Sequence, residues 1–304
     1  MEFSDAADRV LDTAAGRGAD YADVRFERTH AERVEVRNAD VGSMTDERSD
    51  GFGVRALVDG AWGFAASARF DVASLDDAAA RAVAMARAGA SASTKRIGTT
   101  PTDAYVDHFA TPLERDPASV SLGDRIALLL EAERGLHSAP SVAVGQAWID
   151  LWRTAKEFYS TTGSRIAQTI YQSGGGMSAL AVGDGDAQMR MWPGDRGMYF
   201  GGGWEAIERA ELVQNAQRIG EEAHQLLSAP QCPSGTFDVI LGGSQVSLQI
   251  HESCGHAAEL DRIMGWEANF SGTSFLDPSE RGRLKYGSDI VTIEIDNTMP
   301  RGFA

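Results

Sequence analysis

The chain has 304 residues, 43% of them hydrophobic and 24% charged; these values exclude wholesale disorder and collagen-like repetition and leave room for about two domains. Twenty-eight Lys and Arg against 44 Asp and Glu give a formal net charge of −16, which argues against nucleic-acid or anionic-membrane partners, since both are held by Lys and Arg in excess. Lys occurs only at positions 95, 156 and 285; that scarcity suits a high-salt cytoplasm, and a GC-rich genome produces the same bias.

The first element expected is a helix starting near Ser4, with Ala7, Val10, Leu11 and Ala14 on one face and Gly16 and Gly18 ending it. Alternating runs at Ala22–Glu27, Arg33–Arg37, Gly53–Val58 and Ala61–Ala66 predict strands, the last two joined by an Asp59-Gly60 hairpin turn. Asp71–Ala90 is Ala-rich and predicts a helix packing through Val72, Leu75, Ala79, Val83 and Ala86. The polar stretch Ser91–Asp103 is expected as a loop or lid. Ser121–His137 predicts a second helix capped by Ser121. Val142 to about Met191 predicts an antiparallel meander with turns at Thr162-Gly163 and Gly183–Asp186, and Gly174–Gly176 is expected at a mobile or tightly turned strand end. Trp204–Leu227 is expected as one long helix, and the Pro-containing segment Ser228–Gly235 as a domain boundary. Beyond it, Phe237–Leu241 and Val291–Ile295 predict strands on either side of a helical segment. The fold class expected is α+β: an N-terminal domain, 1–230, with helices on a largely antiparallel sheet, then 231–304 as part of a mainly-β C-terminal domain.

Two cysteines, Cys232 and Cys254, cannot form a disulfide framework. The opening M-E-F-S-D-A-A-D-R-V has neither the basic nor the apolar region of a signal peptide, and no apolar run approaches the ~20 residues of a membrane span. A cytoplasmic location is the expectation. No Walker A loop, no G-x-G-x-x-G after a strand and no G-x-S-x-G elbow occurs, so nucleotide binding and α/β-type serine hydrolysis have no support.

Of the six histidines, two fall in the string His251-Glu252-Ser253-Cys254-Gly255-His256. The zincin pattern H-E-x-x-H sets its histidines at i and i+4 on one helical face; here Gly255 occupies that place and the spacing is i, i+5. At ~100° per residue, i and i+5 lie roughly 140° apart on a regular helix, too splayed to share one tetrahedral ion. A π-type turn, eased by Gly255, brings them back to one side. The spacing therefore predicts either a distorted helix holding a metal or a polar helix end with two satisfied histidines. In the first case Glu252 stands where a general base acts on metal-activated water, and Glu259 and Asp261 are close enough to ligate or to orient a histidine. A cysteine nucleophile at Cys254 is a lesser alternative. His30, His108, His137 and His224 lack ligand spacing, Trp62, Trp192, Trp204 and Trp266 read as packing residues, and Arg262, Arg281 and Arg283 as solvated charges or binders of a peptide carboxylate.

Phe237–Phe275, with its F-D-V-I-L-G entry, H-E-S-C-G-H-A-A-E-L-D core and E-A-N-F-S-G-T-S-F exit, resembles the TldD/PmbA family of metallopeptidases on its TldD side. G-F-G-V-R-A-L-V-D-G-A-W-G-F-A-A-S at Gly51–Ser67 and Y-S-T-T-G-S-R-I-A-Q-T at Tyr159–Thr169 are similar to the same family. The resemblance implies His251 and His256 as zinc ligands, Glu252 as catalytic base, and hydrolysis of unfolded or short peptides. It also implies assembly with a paralogous PmbA/TldE-like subunit or as a homo-oligomer. The family's third ligand is a cysteine farther along the C-terminal domain, a place that neither Cys254 nor Cys232 matches. The expectation is a fragment or a chain completed by another polypeptide, with substitution by Glu259 or another acid ranked last. A non-catalytic peptide-binding or assembly subunit of the same fold is the alternative function.

Overall fold

The computed structural model of the chain describes residues 3–93, 96–100, 102–296, 298–299 and 301–302. Thr94, Lys95 and Pro101 of the expected 91–103 loop, and Asn297, Pro300, Phe303 and Ala304 of the final segment, lie outside the described residues. Contacts divide the chain into a larger unit, running to Ser228 and including the segment around Arg301, and a smaller one, Ala229–Met299.

The larger unit is built on one eight-stranded sheet. Its elements in chain order are α1 (Phe3–Gly16), β1 (Tyr21–Arg37), β2 (Asp40–Val58), β3 (Ala61–Ser67), α2 (Val72–Ala92), β4 (Val106–Ala110), α3 (Leu122–Leu136), β5 (Val142–Ser160), β6 (Arg165–Gly183), β7 (Asp186–Trp192), β8 (Met198–Gly201), α4 (Glu205–Arg209) and α5 (Leu212–Leu226). The strand order is β3-β2-β1-β5-β6-β4, with β7 and β8 also on β6; all pairings are antiparallel except β4 with β6. The architecture is α+β.

Local chemistry explains the ends of these elements. Asp71 and Ser121 accept the Ser74 and Asp124 amides and cap α2 and α3. Asp59 (φ 48°) and Gly60 (φ 73°) make the hairpin turn. Even-numbered residues of β1 face the helices: Ala22, Val24 and Phe26 join the core beneath α1 and α2, whereas Val34 and Val36 join a second core beneath α3 and α5. Between the two helix pairs the same face presents Arg28, His30 and Glu32.

Three expectations for this unit are corrected. The separate early strands are one 17-residue strand, β1, turning through Asn38 and Ala39 into the 19-residue β2. Gly174–Gly176 lie inside β6, all paired with β5 and the first two also with β8, where Met198, Tyr199 and Trp148 approach so closely that a Cβ would overlap them. The long helix expected from Trp204 breaks into α4 and α5 at Glu211, which adopts a left-handed backbone (φ 48°).

The smaller unit contains α6 (Gly243–Ile250), a π-helical turn at His251–Gly255, a 3-10 turn at His256–Ala258 and α7 (Leu260–Ile263). Among the described residues, the strands expected at Phe237–Leu241 and Val291–Ile295 do not form. A strand needs a ladder partner, and among the described residues neither segment has one; Ile240 and Ile295 stand 101% and 76% exposed. Among the described residues, no helix is long and apolar enough to cross a membrane.

Candidate metal centre

The sequence holds α6 helical as far as Ile250, where the hydrogen bonding changes. The amide of His256 donates to the carbonyl of His251, the i→i+5 bond of a π turn. This extra residue per turn cancels the 140° splay that a regular helix would impose. The two imidazole rings accordingly lie with centroids 4.4 Å apart, nearly edge to face. Glu252 sits between them, its carboxylate oxygens 3.8 Å from His251 Nε2 and 3.9 Å from His256 Nε2. One ligand atom from each of His251, Glu252 and His256 falls within 4.8 Å of the others.

His256 is oriented from behind. Its Nδ1 meets Glu259 Oε1 at 2.7 Å, and Arg262 Nε donates to the other oxygen of the same carboxylate. Hydrogen bonding from His256, opposed by slight desolvation and reinforced by Arg262, holds Glu259 below the usual carboxylate range. Arg262 Nη2 also lies 3.2 Å from Nδ1; that contact requires Nδ1 to accept, whereas the Glu259 contact requires it to donate. The shorter bond, to a carboxylate already fixed by Arg262, favours Nδ1–H, which leaves the Nε2 lone pair facing Glu252 and His251.

The exit segment braces the turn. Arg262 Nη1 donates to Ser271 O at 2.9 Å, Ser274 Oγ donates to Ala257 O at 2.7 Å, and Tyr286 OH donates to Ser253 O at 2.5 Å. Neither Ser274 nor Tyr286 was legible as a site residue, because each acts on a backbone carbonyl and belongs to no spacing pattern. Arg262, read as a solvated charge or carboxylate binder, is committed internally to Glu259. Asp261 accepts the amide of Arg262 at 2.8 Å and stands outside the ligand cluster. Cys254 is not part of that cluster and lines a pocket of about 310 Å³ with Ile250, Ala258, Leu276, Tyr286 and Val291.

The two imidazole nitrogens fit a first-row divalent metal, one histidine held in the ligating tautomer by a carboxylate behind it, and the Glu252 carboxylate lies beside the point they face. A second cluster lies in the larger unit, where His30, Glu32 and Asp46 bring ligand atoms within 4.8 Å of one another. Sequence spacing could not show it, since Asp46 comes from the neighbouring strand.

Residues 22–86 match the family described as PmbA/TldA metallopeptidase domain 1, and residues 115–229 match PmbA/TldA metallopeptidase central domain. A metalloprotease of Methanothermobacter thermautotrophicus is 27% identical over 92% of this chain and 58% of its own length. The metalloprotease MJ0996 of Methanocaldococcus jannaschii is 24% identical over 93% of this chain and 60% of its own. The chain thus spans under two thirds of the length of these relatives. Among solved structures, a Thermotoga maritima protein described as a candidate modulator of DNA gyrase superposes with a TM-score of 0.57 at 16% identity, over 77% of this chain and 50% of that one. TldE from Thermococcus kodakarensis superposes with a TM-score of 0.50 at 12% identity, over 73% of this chain and 47% of that one. Both structures share its fold. On its two matched domains and its full-length relatives, the chain belongs to the PmbA/TldD metallopeptidase family.

Proposed function

We propose that the chain is the motif-bearing part of a zinc-dependent peptidase that hydrolyses unfolded or short peptides. In this reading residues 1–230 form an N-terminal α+β domain, and 231–304 begin the metallopeptidase domain. The observation that carries it is the π turn, which faces two imidazoles and a carboxylate toward one point, as a metal-assisted hydrolase requires. His251 and His256 would hold the zinc through Nε2. Zinc, when bound, supplies Lewis acidity that polarises a scissile carbonyl and makes water acidic enough to lose a proton near neutral pH.

The chain's own residues do the rest. Glu252 is the general base: its carboxylate is exposed and lies 3.8 Å or more from either imidazole, beyond hydrogen-bonding range, so its oxygens are free to take a proton and return it to the leaving amine. Glu259 fixes the His256 tautomer, and Arg262 fixes Glu259. A third protein ligand comes from outside the residues described. The partner is a paralogous PmbA/TldE-like subunit or a second copy, and the setting is cytoplasmic.

Glu252→Gln tests the assignment. The variant is expected to retain zinc at the wild-type stoichiometry while hydrolysis of a casein-derived peptide falls by at least about a hundredfold; retained hydrolysis refutes the base. His251→Ala is expected to lose the metal, measured by elemental analysis of the purified protein. A folded 304-residue chain that takes up no zinc instead supports a non-catalytic peptide-binding or assembly subunit, a reading favoured by the absence of a third ligand from the described cluster.

A further inference from the structure

β2 is longer than the strand that covers it. Along one side it pairs with β1 over its whole length, but on the other β3 reaches only Phe52–Val58. Among the described residues, nothing pairs with the outer edge of Asp40–Gly51, where every second residue turns its amide and carbonyl outward. By contrast β6 is covered in succession by β4, β8 and β7 along its outer side. The open stretch carries Asp40, Asp46, Glu47 and Asp50 against the single cation Arg48.

Beside this edge, on the helix-bearing face, the gap between the two helix pairs forms a slot of about 270 Å³ lined by His30, Glu32, Asp116, Leu151, Arg153 and Tyr171. Glu32 and His30 belong to β1, directly next to the open edge, and Asp46 on β2 stands opposite Glu32. His30 Nε2 lies 2.9 Å from Asp46 Oδ1, and the Glu32, Asp46 and His30 ligand atoms lie within 4.8 Å of one another. Glu32 is only partly neutralised, by Arg125 at 3.2 Å. Arg153 is occupied over the Tyr171 ring, 5.8 Å from its centroid.

We propose that the Asp40–Gly51 edge of β2 docks an extended, basic polypeptide segment, which adds as a further antiparallel strand and lays a Lys or Arg side chain across Asp46 toward Glu32. Backbone pairing supplies register and affinity, and the carboxylates select the charge. Charge decides the occupant: a second copy pairing edge to edge would set two stretches of net −3 against each other, whereas a basic strand meets a net opposite charge concentrated at Asp46, Glu47 and Asp50, where Arg48 and Arg28 stand 3.5 Å from Asp46 and Asp50. The site lies within the larger unit and does not rest on the metallopeptidase reading.

The test uses the whole chain with two fluorescein-labelled dodecapeptides, one alternating Lys and Thr and one alternating Glu and Thr. The Lys peptide is expected to bind and to slow amide hydrogen exchange within Asp40–Gly51, and the Glu peptide not to bind. Asp46→Lys is expected to weaken binding about tenfold, and Asp46→Asn by a smaller factor in the same direction. Glu131→Lys, the same charge change on exposed α3 surface, is expected to alter it less than about twofold. Equal weakening by Asp46→Lys and Glu131→Lys, unchanged exchange in Asp40–Gly51, or protection of that stretch by self-association without peptide overturns the proposal. Thermal melts of each variant separate misfolding from lost binding, and Asp46→Asn, the milder change, then carries the decision.

Discussion

Tyr199 links two strands through one buried carboxylate. Its hydroxyl donates to Asp150 Oδ2 at 2.8 Å and accepts from Trp148 Nε1 at 3.1 Å, while Arg33 grips both oxygens of Asp150 at 2.8 and 2.9 Å. Burial, together with Asp150 and against the Trp148 bond, pushes the Tyr199 phenol up to about 12. Tyr21 is likewise pushed up to about 12, by burial first and then by Asp23. Both folded values exceed the unfolded value of about 10, so the neutral phenols stabilise the fold fully below that pH, and the contribution is lost as pH rises from about 10 to about 12. Denaturant melts between pH 8 and 12 should show stability falling across that window. Tyr199→Phe, which strands the Trp148 indole and one lone pair of Asp150, should lower stability at pH 7 by about 1–2 kcal/mol and reduce the alkaline slope. At this scale the sequence revealed His251, Glu252 and His256, because three chemically distinctive residues are adjacent in the chain. It did not reveal Asp150 with Arg33 and Tyr199, or His30 with Asp46, which only strand pairing brings together.

Among the elements, the contact of α3 with α5 depends on a missing side chain. A Cβ at Gly220 would fall 2.1 Å from the Leu136 carbonyl oxygen, whereas at Gly16, closing α1, nothing lies within 4 Å. Gly220→Ala should therefore cost about 2–3 kcal/mol by forcing the helices apart. Gly16→Ala should be neutral or stabilising by up to about 1 kcal/mol, and urea midpoints of the two variants decide the contrast. Helix ends, the Asp59-Gly60 hairpin and the β5–β6–β7 meander were readable, since caps and turn residues act locally. The continuity of β1 was not. Periodicity reports which residues are covered, and Arg28, His30 and Glu32 lie where neither helix pair covers the sheet, so the apolar alternation lapses while the strand continues. The π turn was foreseen as one of two outcomes, because i, i+5 spacing fixes what a metal site would need without choosing whether the backbone supplies it.

For the whole molecule, the two units differ in kind. The larger holds two apolar cores, whereas no described residue of 229–299 is buried, and Phe270 and Ile290 stand 93% and 94% exposed. Hydrogen exchange on this chain should find β1, β5 and β6 the most protected and 229–299 exchanging faster than they do. Zinc, if it binds as proposed, should slow exchange at Gly243–Ala258 by tying the turn to the ion. The net charge of −16 makes self-repulsion a whole-molecule effect, so the melting temperature should rise from dilute buffer to molar sodium chloride. Equal melting temperatures would remove the case for salt adaptation.

The sequence alone determined the α+β class, most of the helices and turns, the family resemblance and the H-E-x-x-x-H string, because each is written in neighbouring residues or in a period of two or 3.6. Tertiary structure decided that the two histidines face one point, that Glu259 and Arg262 orient one of them, and that, among the described residues, no strand pairs with the acidic outer edge of Asp40–Gly51. It also decided that Phe237–Leu241 and Val291–Ile295, apolar and alternating as strands should be, form no ladder. A strand is a relation between segments, and an alternating pattern specifies only one side of it.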